Sequence, residues 1–512
     1  MERKGQELER IPKEKFEFAQ LDKTIQDKKF DTKTRGFFAD AMLRFKKNKS
    51  SVVAAYILAL LALYAILAPI IAPIKMDNKD KVYTNTPPYI RAIADLGWGI
   101  FDGAVVHESQ NEAQMNYWKG IGVETGYNPV LKILGTSETV SKYKGQDRIS
   151  YSYKMSTNKY YDVGVVYRVF SYNEFENIQK WQNETGIQVI YPYVEPESIS
   201  GINDNPNLWY QVDAKGSAVL DENGNFVPVY STNSAIEGAP YNSIRIPGDD
   251  GSYIYSVRKS GSVQARVCYY NYYQYLNGYE PLYLLGTSVL GQDLFCGIGV
   301  GARFSLIFAI VVSAINLTIG AIYGAIQGYY GGTIDIVMDR FADICSGIPM
   351  IVVTVLFQLH LAAKVGTVGA FLFAFVMTGW ISMSALTRKQ FYRFKGQEFV
   401  FAARTLGASD KRLMFKHIFP NAMGTIITSC ALIIPSVVLS ETTMTYLGII
   451  NIADFAGTSI GTLLAQGQPS MLTAPHAMFF PSIYFALLLI CFNLFGNGLR
   501  DAFNPTTRGV ED

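Results

Sequence analysis

The residues of this chain that carry a reactive or switchable group are few and scattered. Its four histidines, His107, His360, His417 and His476, stand singly, so no cluster with metal-ligand spacing is legible. No hydrolase signature occurs, and no G-x-x-x-x-G-K-[ST] loop, so the chain cannot cradle ATP in that way. Any energy it uses must come from a partner or an ion gradient. One carboxylate, Glu441, sits inside an apolar run, where an ionised group is costly without a partner or water. Asn316, Gln358 and Ser436 lie in such runs too, as candidates for lining a pathway or joining helices, with Gln327, Ser382 and Ser384 beside them. For the hydroxyls, a bond between helices is the commoner role. For Glu441 lining a pathway and forming a structural ion pair are equally good readings.

The second feature is mechanical. In residues 398–407, EFVFAARTLG, Phe399, Ala402, Ala403 and Leu406 recur at i, i+3, i+4 and i+7, one face of a short helix. Glu398 lies in the first turn, where the helix dipole favours negative charge. Gly407 supplies the left-handed residue that ends it. Ser409 or Asp410 then caps a second helix over 411–419, and Pro420 marks the approach to the next apolar run. A helix–glycine–helix element suits docking into a groove on another protein, and adjacent alanines let that partner come close. An interfacial helix held on lipid head groups by nearby cations fits the same residues equally well.

The elements that must position these residues are membrane spans. Only 17% of residues are charged, against 49% hydrophobic, and the net charge is +2. Soluble domains carry about 25% charged residues. A single soluble domain, a disordered chain and a nucleic-acid binder are thereby excluded, and five cysteines in 512 residues are too few for a disulfide scaffold. A span takes about 20 apolar residues. Six stretches qualify: 52–74, 304–329, 344–363, 368–386, 425–447 and 477–495, with Pro349 and Pro435 inside the third and fifth. The first follows a charge-rich stretch and reads as an uncleaved anchor. Cations gather before it (Arg44, Lys46, Lys47, Lys49), in the fourth loop (Arg388, Lys389, Arg393, Lys395, Arg404, Lys411, Arg412, Lys416) and after the sixth (Arg500, Arg508). The positive-inside rule then puts both termini and the fourth loop in the cytoplasm of a multi-pass protein of the plasma or inner membrane.

The expected organisation is a cytoplasmic tail over 1–50, a first span over 51–75, an extracytoplasmic insertion over 76–300, a five-helix domain over 301–500 with a loop at 388–420, and a tail over 501–512. The first tail holds 14 Lys and Arg against 9 Asp and Glu, a net +5. The insertion holds 25 of the 33 tyrosines and reads as α+β or β-rich. Residues 163–170 and 187–194 read as strands, and hairpins are expected around 221–224, with its Asn-Gly turn signal, and around 249–251. Tyr269, Tyr270, Tyr272, Tyr273 and Tyr275 form a cluster that reads as strand packing near the interface, or else as a binding platform. Cys268 and Cys296 could pair, though nothing requires it, and Cys345, Cys430 and Cys491 read as small packing residues within spans.

Ala402-Ala403-x-x-x-Gly407, followed by Ile418-Phe419-Pro420-Asn421, resembles the EAA coupling loop of ABC importer permeases. The wider match resembles the C-type permease subunit of oligopeptide and dipeptide importers. Its segments are Leu285-Gly286-Thr287 with Leu290-Gly291-Gln292-Asp293, Gly301-Ala302-Arg303-Phe304-Ser305-Leu306, Tyr329-Tyr330-Gly331-Gly332 with Asp335, Glu441 with Tyr446-Leu447-Gly448, and residues 492–501, FNLFGNGLRD. They cover 285–507 nearly continuously, plus the N-terminal tail and first span. The resemblance implies an all-α, six-helix type I importer permease and a non-catalytic subunit that binds no cofactor. It implies a second permease, two ATPases that hold ATP and Mg, and an extracytoplasmic binding protein delivering peptide. It carries the coupling role onto Glu398, Ala402, Ala403, Gly407, Ile418 and Pro420. Three features depart from the family: Phe401 stands where a Glu usually precedes the alanines, a usual tryptophan is replaced near Ser459-Ile460-Gly461, and the insertion far exceeds the ordinary short connection. Nickel permeases look similar, and lie within the same class. Two other classes compete: a membrane-anchored peptide-binding or sensing protein working through the insertion, and an ion-coupled carrier, which predicts paired carboxylates in spans where only Glu441 qualifies.

Overall fold

Apolar helices here follow one another with breaks at proline and glycine, and the chain leaves the bundle once to build a separate α+β lobe. The computed structural model describes residues 37–143, 146–193, 219–224, 227, 254–452 and 457–503. Helix α1 (Phe37–Lys47) leads into α2 (Lys49–Ile71), which starts where the Asn48 side chain accepts from the Ser51 amide. After the lobe come α7 (Leu294–Tyr330), α8 (Gly332–Ser346), α9 (Met350–Val365), α10 (Thr367–Gly379), α11 (Ile381–Lys395), α12 (Glu398–Thr405), α13 (Asp410–Arg412), α14 (Phe419–Tyr446), α15 (Ile460–Gly467) and α16 (His476–Phe503). By length and hydropathy five helices can span a bilayer, α10 with α11 and α13 with α14 counting as one each, and the bent pair α8–α9 brings the number to six.

Two of the expected spans differ in shape. The third is not one helix over 344–363: α8 and α9 meet at 75° across residues 347–349. Pro349 has no N–H to donate and sits with ψ 130° as the cap of α9, so the helix cannot run through it. The second begins at Leu294 rather than Phe304, because Asp293 accepts from the Phe295 and Cys296 amides at 3.3 and 2.9 Å and starts the helix earlier. Pro435, by contrast, stays within α14.

The lobe between α2 and α7 is α+β. It contains α3 (Arg91–Ala94), β1 (Ala104–Asn111), α4 (Glu112–Thr125), β2 (Val130–Tyr143), β3 (Gln146–Asn158), β4 (Val165–Phe170), α5 (Tyr172–Thr185), β5 (Ile190–Tyr191), β6 (Ser256–Lys259), β7 (Ser262–Cys268) and α6 (Tyr269–Asn277). Strands β1-β3-β2 form one antiparallel sheet; β4-β7-β5 form another, with β6 on β7. The strand expected over 187–194 shrinks to two residues because the Gln182 side-chain oxygen takes the Val189 and Ile190 amides, at 2.8 and 3.0 Å. The turn at 221–224 is present, with the Gly224 amide donating to the Asp221 carbonyl at 3.0 Å. The turn expected at 249–251 lies outside the described residues; further along, β6 and β7 form a hairpin closed by Ser260 and Gly261 in left-handed conformation.

The tyrosine cluster corrects the strand expectation and the platform alternative together. Residues 269–277 are helix α6, and Tyr269, Tyr270, Tyr272 and Tyr273 are buried in the lobe's core with Tyr83, Tyr160 and Tyr283. Their rings meet edge to face at centroid distances of 5.3 Å (Tyr83–Tyr269) and 5.8 Å (Tyr83–Tyr273), a geometry aromatic pairs prefer. Cys268 and Cys296 are free thiols buried in separate clusters.

A narrow neck joins lobe and bundle. The outgoing and returning segments pair there: the Asp80 amide donates to the Gly291 carbonyl at 3.2 Å, the Asn85 amide to the Ser288 carbonyl at 3.1 Å, and the Thr287 amide to the Thr86 carbonyl at 2.9 Å. The Thr287 hydroxyl donates to the Tyr83 carbonyl at 2.6 Å, and the Tyr269 hydroxyl to the Asp80 carboxylate at 2.9 Å. Below the neck, the His476 imidazole donates to the Thr287 carbonyl at 3.3 Å.

Within the lobe, burial pushes the Asp162 carboxyl up to about 6 despite Lys159 at 3.3 Å. Since the unfolded value is about 3.9, this group contributes stability that is present below pH ~3.9 and lost as the pH rises to about 6. The Asp162→Asn variant should therefore lose that part of the wild-type decline in thermal unfolding temperature between pH 4 and 6, measured by fluorescence on the full-length protein; identical pH profiles would refute the assignment.

Candidate functional site

Helix α12 and its flanks are built from three cooperating features. The first is the cap. The Ala408 amide donates to the Ala403 carbonyl at 3.1 Å and the Gly407 amide to Arg404 at 3.0 Å, with Gly407 at φ +80°, a Schellman ending of the kind only glycine adopts cheaply. The second is the division of faces. Val400 is buried, and Ala403 and Ala408 pack beside it against Leu413, Met414 and Ile418, so this side of α12 is anchored. Phe399, Phe401 and Ala402 are exposed, and Leu406 is 87% exposed at the tip. Ala403 thus belongs to the anchored side, and Phe401 adds apolar surface where the Glu of related loops would add charge. Glu398 is exposed in the first turn.

The third feature is a wide turn. The expected separate helix over 411–419 is instead continuous with the fifth span: α13 passes through a π-helical stretch, Leu413–Ile418, straight into α14. A proline in an ordinary helix clashes with the carbonyl four residues back. The widened turn before Phe419 relieves that contact for Pro420, so this proline, which is exposed, ends nothing. Ile418 is fully buried. Lys411, Arg412, Phe415, Lys416 and Pro420 line an open groove of about 460 Å³ beside the tip.

This element is wired to the bundle by polar contacts, of whose residues the sequence singled out only Gln327 and Ser384 as candidates for joining helices. Tyr329, at the end of α7, donates its hydroxyl proton to Asp410 and accepts from Arg404 at 3.2 Å. Arg388 of α11 bridges α8 through Asp335 at 2.7 Å and Asp339 at 2.8 Å, and Tyr392 donates to Asp335 as well. Lys395 donates to the Gly328 carbonyl at 2.9 Å and lies 4.1 Å over the Tyr392 ring. Gln327 donates to Asp339 at 3.2 Å and accepts from Ser384 at 3.4 Å. A partner pressing on the tip would thus act on α7, α8 and α11 at once.

These contacts are possible because α7 and α11 touch backbone to backbone. A Cβ on Gly320 would lie 2.6 Å from the Trp380 carbonyl oxygen; on Gly324, 2.2 Å from that of Ser384; on Gly328, 2.7 Å from that of Arg388. The spacing is G-x-x-x-G-x-x-x-G, a small-residue ridge that lets helices approach closely in lipid. That signal was legible in the sequence and is what would have found the site's scaffold. Asn316 continues the same ridge: it is buried, and its amide nitrogen would lie 2.2 Å from a Cβ on Gly379.

The remaining polar candidates are dispersed. Gln358 is half-buried and donates to the Thr367 carbonyl at 2.9 Å, stapling α9 to α10. Ser436 is exposed on α14. Glu441 is fully buried and accepts from Ser305 of α7 at 2.7 Å and from Thr442 and Thr445 of its own helix at 3.3 and 3.4 Å. Ser459, which caps α15, donates to Thr445 at 3.1 Å, so Glu441 ties three helices together. Among the described residues no group of three His, Cys, Asp or Glu side chains has metal-holding geometry.

Residues 316–509 match the family described as binding-protein-dependent transport system inner membrane component, and residues 36–88 match the N-terminal TM domain of oligopeptide transport permease C. The oligopeptide transport system permease protein OppC of Bacillus subtilis (strain 168) is 39% identical over 223 residues, 44% of this chain and 72% of that protein. The dipeptide transport system permease protein DppC of the same strain is 35% identical over 224 residues, 44% of this chain and 68% of that protein. OppC of Escherichia coli (strain K12) is 31% identical over 229 residues, 45% of this chain and 74% of that protein. A solved MetNI methionine ABC transporter aligns over 40% of this chain and 94% of that chain at 14% identity with a TM-score of 0.32, a likeness too loose to bear on function.

The glycine ridge makes a sharp stability prediction. Gly324→Ala gains helix propensity of about 1 kcal/mol but must push α11 away, and overpacking of this kind costs about 1–3 kcal/mol. The variant should unfold at lower temperature than wild type in detergent, whereas Gly396→Ala, with nothing within 4 Å of its Cβ, should be neutral. Equal behaviour of the two would refute the close approach.

Proposed function

The chain belongs to the oligopeptide permease C branch of the binding-protein-dependent transport permeases, and from that premise we propose that it forms half of a peptide-conducting pathway whose opening is driven by ATPases docked on α12. The observation that carries this reading is the stiff, exposed tip at Leu406, anchored by Val400 and Ala403 and wired through Tyr329 and Arg388 to three helices. A partner can shift a conformational equilibrium only through contacts that differ between the two states. A lever whose base is locked to α7, α8 and α11 converts a push on its tip into a rigid movement of those helices.

In this reading the chain is a non-catalytic subunit. It pairs with a second permease, two ATPases that hold ATP and Mg, and a binding protein that delivers oligopeptides or dipeptides. Glu398, Ala402, Ala403, Gly407, Ile418 and Pro420 serve the coupling. Of the polar residues within the spans, exposed Ser436 is the one this reading puts on the pathway, with Gln358 near it in role, while Asn316 and Glu441 hold helices together. Peptide is preferred over nickel as cargo because the relatives at 39% and 35% identity are oligopeptide and dipeptide permeases.

The proposed orientation places the lobe outside the cell and both termini in the cytoplasm. Its support is the charge distribution. The N-terminal end of α2 packs against the C-terminal end of α16, where the Ser51 hydroxyl donates to the Leu494 carbonyl at 3.0 Å. The cations of α1, α11, α12 and α13 and Arg500 thus lie towards one end of the bundle, and the lobe leaves from the other. Positive residues favour the cytoplasmic side.

Gly407→Pro removes an N–H that closes the cap and a left-handed conformation proline cannot adopt, and Ala403→Glu forces a carboxylate against Leu413 and Met414. Both variants should insert into the membrane at wild-type levels and lose peptide uptake in cells or proteoliposomes containing the complete importer. Uptake at the wild-type rate by either correctly inserted variant would overturn the coupling role.

A further inference from the structure

One apolar surface of the lobe has no protein cover among the described residues. Between α3 and β1 the chain reads Asp95-Leu96-Gly97-Trp98-Gly99-Ile100-Phe101-Asp102. Leu96, Trp98 and Ile100 are exposed, the indole at 67%, and so are Val106 of β1 and Leu131, Ile133 and Leu134 of β2. Trp98, Val106, Leu131 and Leu134 share the wall of one open cavity of about 680 Å³. Contiguous exposure of this many large apolar side chains is uncommon on a water-facing surface and marks an interaction site.

What lies against this surface follows from where it is attached. Phe101 sits on Phe480, with ring centroids 6.3 Å apart, and Phe480 is one turn into α16, a helix long and apolar enough to cross the bilayer. On the same stretch Phe479 and Ile483 are exposed, and Leu472, just before α16, is 97% exposed. The segment is therefore continuous with the outer surface of a spanning helix at its first turn, the depth at which hydrocarbon gives way to head groups. Residues 96–101 carry no charge. Asp95 and Asp102 bracket them, and Asp102 is turned back to accept from the Ala104 amide at 3.0 Å. Tryptophan favours this depth because its ring is apolar while its N–H finds a polar partner.

We propose that residues 96–101 dip into the bilayer interface beside the first turn of α16, so that the lobe rests on lipid as well as on its neck. Two attachments instead of one fix the tilt of the lobe over the bundle. The inference rests on α16 being a membrane span; it does not depend on peptide as the cargo or on which side of the membrane the lobe occupies.

The test uses the full-length protein in phosphatidylcholine nanodiscs and subtracts the tryptophan emission of a Trp98→Phe variant from that of wild type, which isolates Trp98 from the other four indoles. Trp98 is exposed, so the substitution leaves the fold intact, and unfolding curves of the two proteins check this. The difference spectrum should be blue-shifted, should lose most of its intensity when the lipids carry brominated acyl chains, and should respond little to iodide. Strong quenching by iodide with none by brominated lipid would show the segment in water and overturn the proposal. Protection from both quenchers would show a protein cover instead, and would overturn it equally.

Discussion

The contact between α7 and α11 through Gly320, Gly324 and Gly328 is the constraint on which the rest of the bundle depends. In hydrocarbon, apolar side chains gain nothing by leaving lipid for protein, so helices associate through close packing and polar contacts. Three glycines one turn apart remove the side chains that would keep the backbones apart. The approach then brings Arg388, Tyr392 and Lys395 of α11 within reach of Gly328, Asp335 and Asp339. A larger residue on the ridge would separate the helices and lengthen all of these contacts together.

Helix α12 and its flanks are held against that ridge. Its anchored face packs against Ala325 and Tyr329 of α7 and Phe391 of α11, the residues that the close approach brings side by side. The π-helical stretch before Phe419 makes α13 and α14 one continuous rod, so movement at the tip has no hinge at Pro420 in which to be lost. The one sharp break nearby is the 75° bend between α8 and α9. Asp335 and Asp339 clamp the α8 side of that bend to α11, which leaves the α9–α10 pair as the part of the bundle least tied to the lever.

The lobe is accommodated by a different device. Its entering and leaving segments pair at the neck, so more than two hundred residues leave from and return to nearly the same point. Each of these hydrogen bonds is worth about 1 kcal/mol, and those to the Asp80 carboxylate somewhat more, so together they offset a loop-closure cost that grows only with the logarithm of length. The family matches at 36–88 and from 316 onward flank this lobe, consistent with an insertion into an otherwise unaltered bundle.

The spans and the short helix α12 were legible in the sequence because hydropathy over 20 residues and a glycine stop are local signals. Gly407 ends α12 as its position implies, and six apolar runs correspond to five helices and one bent pair. The ridge was equally visible as a spacing, but its partner was not, since nothing local says that Gly324 meets Ser384. The helix at Tyr269 was misread for a related reason: five aromatics in seven residues suit a strand, and only the core of Tyr83, Tyr160 and Tyr283 around them selects the helix. Segment by segment, then, the amino-acid order determined which stretches enter lipid and where their helices stop, because each depends on neighbours within a turn or two. Which helix touches which, that Ala403 faces inward while Leu406 faces out, and that Glu441 joins three helices were decided only by tertiary packing, because those contacts link residues far apart in the chain.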